Sequence, residues 1–264
     1  MNKVIRAEFG RTINAGLIIA IAGIIFSICF DSFNDLIAGL RNGQGYVGYF
    51  FSNAAFGGMC THYMLPVFTA LPFSVSLCQE RNNKAVSYIV SREGKNRYIF
   101  AKFIVSAISG GFVAACGTVL LFLRLARRLA IAGDEFEGAV VSEYFHEWSA
   151  VYYPQLYILT LSILAFCRGV IWSSLALCVS LYTSDFMVVL LSPFLGSYVL
   201  VRIFQIIRVP DMVRPDMILI GQVVIKSSGL TLLIAIAISL TIVTLIGAFF
   251  VGKMKEGLKS GTIY

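Results

Sequence analysis

Six apolar stretches, at 14–30, 57–79, 99–123, 154–181, 185–207 and 229–251, dominate this chain of 264 residues. An apolar helix crosses a hydrocarbon core in roughly 20 residues at about 1.5 Å rise each. Backbone polar groups in lipid have no water to bond, so such stretches must satisfy themselves as helices. Only 13% of residues are charged against 58% hydrophobic, about half the charge share of a soluble domain. The expectation is an all-α polytopic integral membrane protein, with six transmembrane helices in a single domain over 1–264.

The first stretch follows Lys3, Arg6 and Arg11 but has no small-x-small cleavage site after it, so it reads as an uncleaved anchor rather than a signal peptide. Ile28 before Cys29 excludes a lipoprotein signal, which needs a small residue there. Residues 1–13 set Ile5, Phe9 and Ile13 at four-residue spacing among Arg6, Glu8 and Arg11, the pattern of an amphipathic helix lying along a membrane surface. All six cysteines fall in the apolar stretches, Cys29 and Cys60 near the outer edge, and buried free thiols are expected rather than a disulfide framework.

An even number of crossings puts both termini on one side, and the Lys and Arg distribution chooses the side. Twelve fall on the termini side: Lys3, Arg6, Arg11, Arg81, Lys84, Arg92, Lys95, Arg97, Lys102, Lys253, Lys255 and Lys259. Eight fall opposite: Arg41, Arg124, Arg127, Arg128, Arg202, Arg208, Arg214 and Lys226. Both termini are therefore expected in the cytoplasm of a multi-pass cell-membrane protein, of bacterial type. The basic excess is an inner-leaflet feature that suits anionic lipid and requires no nucleic acid.

Between the fifth and sixth stretches, 208–228 holds an apolar run of nine residues between Pro215 and Lys226. It is too short to span and suits an outer-surface helix or a re-entrant segment. No internal repeat is visible, so the inverted-repeat plan of many secondary transporters has no support.

Catalytic chemistry finds few residues. Gly247 to Met254 approaches a phosphate-binding loop, but Met254 lacks the hydroxyl that ligates magnesium, and the glycines lie in an apolar helix whose N–H groups are already bonded. His62 and His146 sit in separate segments without a metal-ligand or triad pattern. No catalytic residue, metal ligand or cofactor is expected in this chain. Arg168 is the ionisable residue deep in an apolar stretch. Its charge costs at least ~2.5 kcal/mol there unless water or a partner reaches it. It is open to three readings: lining a translocation path with Ser173 and the kink prolines Pro66 and Pro72, holding an anionic group of a substrate, or reaching carbonyls in a packed bundle. No acidic residue is evident at its depth in another apolar stretch.

The inner loop over 80–97 is the most informative segment. Val86, Ile89 and Val90 form a short apolar face, Gly94 is a helix stop, and Glu80, Arg81, Lys84, Tyr88, Arg92 and Glu93 surround them. A helix so held at the membrane face is suited to docking in a groove of a cytoplasmic partner; a solvated basic loop is the plainer alternative.

Leu71-Pro72-Phe73-Ser74, Glu80, Tyr88 to Arg92, Arg97-Tyr98, Ala101-Lys102-Phe103 and Ser109-Gly110-Gly111 together resemble a permease subunit of the ABC-2 family. The resemblance covers nearly the whole chain. It implies a type V exporter half, with 80–97 as the coupling helix that receives motion from a separate ABC ATPase in two copies, where Mg-ATP would bind. A second permease copy, identical or homologous, is implied too. The substrate class it implies is an antimicrobial or other amphipathic peptide, a lipid or a drug. The rival expectations are an ATP-independent secondary transporter or channel, and a non-transport membrane sensor or assembly protein.

Overall fold

A computed structural model describes residues 2–34, 37, 58–127, 153–221, 223, 225 and 227–260. The long α-helices follow from apolar runs, and several helices have a recognisable start or stop. Helix α1 (Asn2–Thr12) ends at a bend, and Asn14 starts α2 (Ala15–Asp31) by accepting the N–H of Leu17 at 3.1 Å, satisfying a donor that a helix N-terminus leaves free. Helix α3 (Met59–Ala70) is capped from another helix: the Asp31 carboxylate, at the end of α2, accepts the N–H groups of Cys60 and Thr61 at 2.9 and 2.6 Å. The turn at 71–75 leads into α4 (Ser76–Asn82), and α5 (Val86–Glu93) follows. Gly94, at φ 86° and ψ 138°, joins α5 to α6 (Lys95–Leu125); that backbone region is open essentially to glycine alone.

Helix α7 (Pro154–Val179) starts with proline in its first turn, where the missing N–H is harmless. Asp185 caps α8 (Phe186–Ile207) through the N–H of Met187 at 2.8 Å. A single 3₁₀ turn (Asp211–Val213) and the six-residue α9 (Pro215–Ile220) lead to α10 (Ser228–Ser260).

Among the described residues, α6, α7, α8 and α10 are each long and apolar enough to cross a membrane, and the α1–α2 pair, bent by 56°, is a fifth candidate. The protein is thus an all-helical, polytopic membrane protein, with up to five candidate crossings among the described residues rather than six separate long ones. At 57–79, a continuous span was expected; α3 stops at Ala70 instead, because Pro72 has no N–H to give and its ring crowds the carbonyl four residues back. Helix α2 rises only about 25 Å over its 17 residues.

The architecture is a two-helix centre with the others packed round it. The apolar windows of α6 and α7 are each 61% buried, against 17% for α8 and 11% for α10. Small residues let the central pair meet backbone to backbone: a Cβ on Gly169 would lie 2.5 Å from the Gly110 carbonyl oxygen, and one on Gly110 would lie 2.3 Å from the Ser173 Cβ. This is the close approach that small-residue faces permit in lipid. Ile24, Leu65, Val113, Leu161 and Leu164 fill the core between α2, α3, α6 and α7, with α9 contributing Ile218 to Ile220.

Helix α1 lies against the bundle. Val4, Glu8 and Thr12 form its buried face, packed on α6, while Ile13 is 78% exposed. The helix docks on the bundle by a largely polar face, which leaves much of the Ile5, Phe9 and Ile13 stripe facing away from it. The segment 208–228 resolves into the 3₁₀ turn and α9, whose apolar face is buried against α7 and α10. All six cysteines are free thiols.

Candidate functional site: a buried charge cluster beneath a short amphipathic helix

Three helices that arrive separately in sequence place charge at one point. On α6, Tyr98 and Lys102 are four residues apart and share a face; on α4, Ser76 and Glu80 do the same. Glu8 and Arg11 project from α1. The fully buried Lys102 ammonium donates to Glu80 Oε1 at 2.7 Å, Glu8 Oε2 at 3.1 Å and Ser76 Oγ at 3.2 Å, so its three N–H donors each have an acceptor. It lies 4.7 Å from the centroid of the Phe73 ring, a cation–π contact. Tyr98 donates to the other Glu80 oxygen at 2.5 Å, and Arg11 pairs with both carboxylates.

Two cations and two carboxylates make the cluster electrically neutral. Burial alone would raise the Glu80 carboxyl; the Lys102 ammonium, with help from Tyr98 and Arg11, outweighs it and holds the carboxyl below its ordinary value. A buried network of this kind is a register device more than a source of stability, since desolvation offsets much of the attraction while loss of one member costs about 3–5 kcal/mol. Here it fixes α1, α4 and α6 to one another.

Helix α5 lies at the same end. Val86 and Val90 are buried among Tyr98 and Ile99 of α6, Leu177 of α7 and Phe250, Met254 and Leu258 of α10. Ile89 is half-buried beside them, while Ser87, Tyr88, Ser91 and Arg92 face outward. The apolar face of 80–97, expected to meet a partner, is thus spent mainly on the chain's own helices, and a partner would meet Tyr88 and Arg92.

Glu80 too is turned inward. Arg81 donates to the carbonyls of Ser180 and Leu181 at 2.9 and 3.2 Å, closing the C-terminal end of α7. Lys84 is exposed, with a left-handed φ of 53° in the turn before α5. Arg92 pairs with Glu93 at 3.0 Å. A cleft of about 160 Å³ between α1 and α5 is lined by Glu8, Arg11, Tyr88, Ile89, Arg92 and Glu93.

The four residues expected to share a translocation path are not brought together. Ser173 is fully buried at the α6–α7 crossing, where its carbonyl accepts from Ser74 at 2.9 Å and from Ser106 at 3.3 Å. Pro66 and Pro72 are buried in and after α3. Arg168 lines a separate cavity with His62 and Asp216. An acidic residue, Asp216 of α9, therefore lines the same cavity as Arg168 without forming an ion pair with it.

Sequence reasoning missed Glu8, Arg11 and Lys102 as members of one site. The available signal was the four-residue spacing of Tyr98 with Lys102 and of Ser76 with Glu80; the partner on α1 had none. Among the described residues, no three His, Cys, Asp or Glu side chains gather as metal ligands. Compared with family models, with curated proteins and with solved structures, the chain matches none.

Proposed function

We propose that this chain is the permease subunit of an ATP-driven exporter. It crosses the membrane six times with both termini cytoplasmic, and moves an amphipathic substrate outward with a separate ATPase supplying the energy. The observation that carries this reading is the seat of α5: eight residues that pack on α6, and whose buried Val86 and Val90 belong to one apolar cluster with the ends of α6, α7 and α10, while Tyr88 and Arg92 stand exposed. A push on such a helix is delivered to three long helices together, as a coupling element requires. The neutral ion cluster beside it ties α1 and α4 to the same end, so the lever rests on a stiff base. A second permease copy and two ATPase subunits complete the proposed assembly.

The test is to co-express the chain with candidate ABC ATPases and follow complex formation, ATP hydrolysis and ATP-dependent transport in inside-out vesicles. Tyr88→Asp with Arg92→Glu leaves the buried anchors of α5 intact. If the exposed face docks the ATPase, association should weaken at least about tenfold, the usual loss for an interface anchor and its rim, with the thermal stability of the chain unchanged. Transport driven by an ion gradient without any ATPase, or full coupling in the double variant, overturns the reading.

A further inference from the structure

Arg168 is 7% exposed, and among the described residues it makes no hydrogen bond and no ion pair within 4 Å. The described carboxylate that influences it, Asp216, is already engaged: its oxygens accept from Arg214 Nη2 at 2.7 Å and Nε at 3.3 Å. Arg168 borders two cavities. The larger, about 170 Å³, is walled by Trp172, Leu200 and Ile242, with His62 and Asp216 at its polar part. The smaller, about 20 Å³, holds the Thr61 hydroxyl, buried without a hydrogen-bond partner. Arg168 thus stands between the apolar chamber and a small cavity bordered by the unsatisfied Thr61 hydroxyl, in a place where an unpaired guanidinium is costly.

A dry cavity of ~150 Å³ takes a benzene-sized hydrocarbon, so the larger chamber accommodates a ring or a short run of methylenes. Guanidinium is the group that best holds a planar carboxylate, through two parallel N–H donors. We infer that this chamber is a binding site for a carboxylate-bearing amphiphile, with the carboxylate on Arg168 and its apolar portion against Trp172, Leu200 and Ile242. The shared chemistry has two sources, a single-chain fatty acid and the C-terminal carboxylate of an apolar peptide. The inference stands apart from the exporter reading, because binding is a property of the chain without ATPase or ATP.

Trp172 reports on the chamber, and Trp148 is the only other tryptophan. With Trp148→Phe as background, the purified full chain in detergent is titrated with bromodecanoic acid at neutral pH and, separately, with bromodecanol. The acid should quench Trp172 fluorescence saturably, at a concentration at least about tenfold below the alcohol, the factor expected for one charge-assisted contact. Arg168→Gln should abolish that difference, whereas Asp216→Asn, which removes a nearby negative charge, should enlarge it.

Competition by N-acetyl-Leu-Leu acid but not by its amide assigns the site to peptide termini; quenching that neither displaces assigns it to fatty acids. Equal quenching by acid and alcohol in the native chain overturns the inference, and that comparison needs no variant to fold. Retention of the acid preference in a folded Arg168→Gln protein overturns it as well.

Discussion

Replacing Lys102 with Met keeps most of the side-chain volume and its contact with Phe73 while deleting one charge from a neutral set of four. Glu8 and Glu80 would remain buried with Arg11 as their cation, and Arg11 is half exposed where Lys102 is fully buried. Breaking a buried pair by removing one partner costs about 3–5 kcal/mol. Arg11 already touches both carboxylates, so the low end, about 3 kcal/mol, is expected, which is a factor of about 150 in the folding equilibrium.

The assay is chemical unfolding of the purified chain in mixed micelles, followed by hydrogen exchange of α1 amides, which should lose protection first because Glu8 is its charged anchor on α6. Glu80→Gln in the Lys102→Met background restores neutrality. The double variant should therefore be more stable than the sum of the two single losses by at least about 1 kcal/mol, since members of one network do not act additively. A Lys102→Met protein within about 0.5 kcal/mol of the native chain, or strictly additive losses, would refute the argument that this cluster ties α1, α4 and α6 together.

Acid should test the same cluster from the proton side. The Glu80 carboxyl is held below its ordinary 4.5, so its stabilising charge is fully present above about that pH and is lost as pH falls through the lower folded value. Thermal stability should be flat down to about pH 5.5 and decline below about 4.5, with a smaller decline in Glu80→Gln; equal acid sensitivity in the two proteins would remove Glu80 as the cause. Orientation is tested by single cysteines at Ser87 and Ser260 in a cysteine-free background, both exposed and near the basic end of the chain. Membrane-impermeant maleimide should label them from inside-out but not right-side-out vesicles, and the reverse pattern would overturn the placement of the termini.

The membrane solvent was legible in the sequence because hydrocarbon imposes a length on apolar runs and leaves helices as the available backbone solution. The amphipathic stretch before Ile13, the helix at 86–93 and the stop at Gly94 were legible for similar local reasons: periodicity and the φ preference of glycine act within a few residues. The close crossing of α6 and α7 was not legible in the sequence: Ser106, Gly110 and Ala114 stand at four-residue spacing, but nothing in that pattern names Gly169 and Ser173 as the partner.

Tertiary structure alone decided where the charges go. Glu8, Glu80 and Lys102 are separated by 72 and 22 residues, and each by itself reads as an ordinary polar position at a membrane face; only helix docking makes them one neutral, buried cluster. Val86 offers an apolar surface to any neighbour, and whether that neighbour is another protein or the chain's own α10 depends on where Phe250 and Met254 arrive. Arg168 was recognisable from its depth in an apolar run. Trp172, four residues on, shares its face by helical spacing, but His62 at the start of α3 and Asp216 on α9 come from segments that sequence spacing does not relate to it, because long-range packing leaves no period to read.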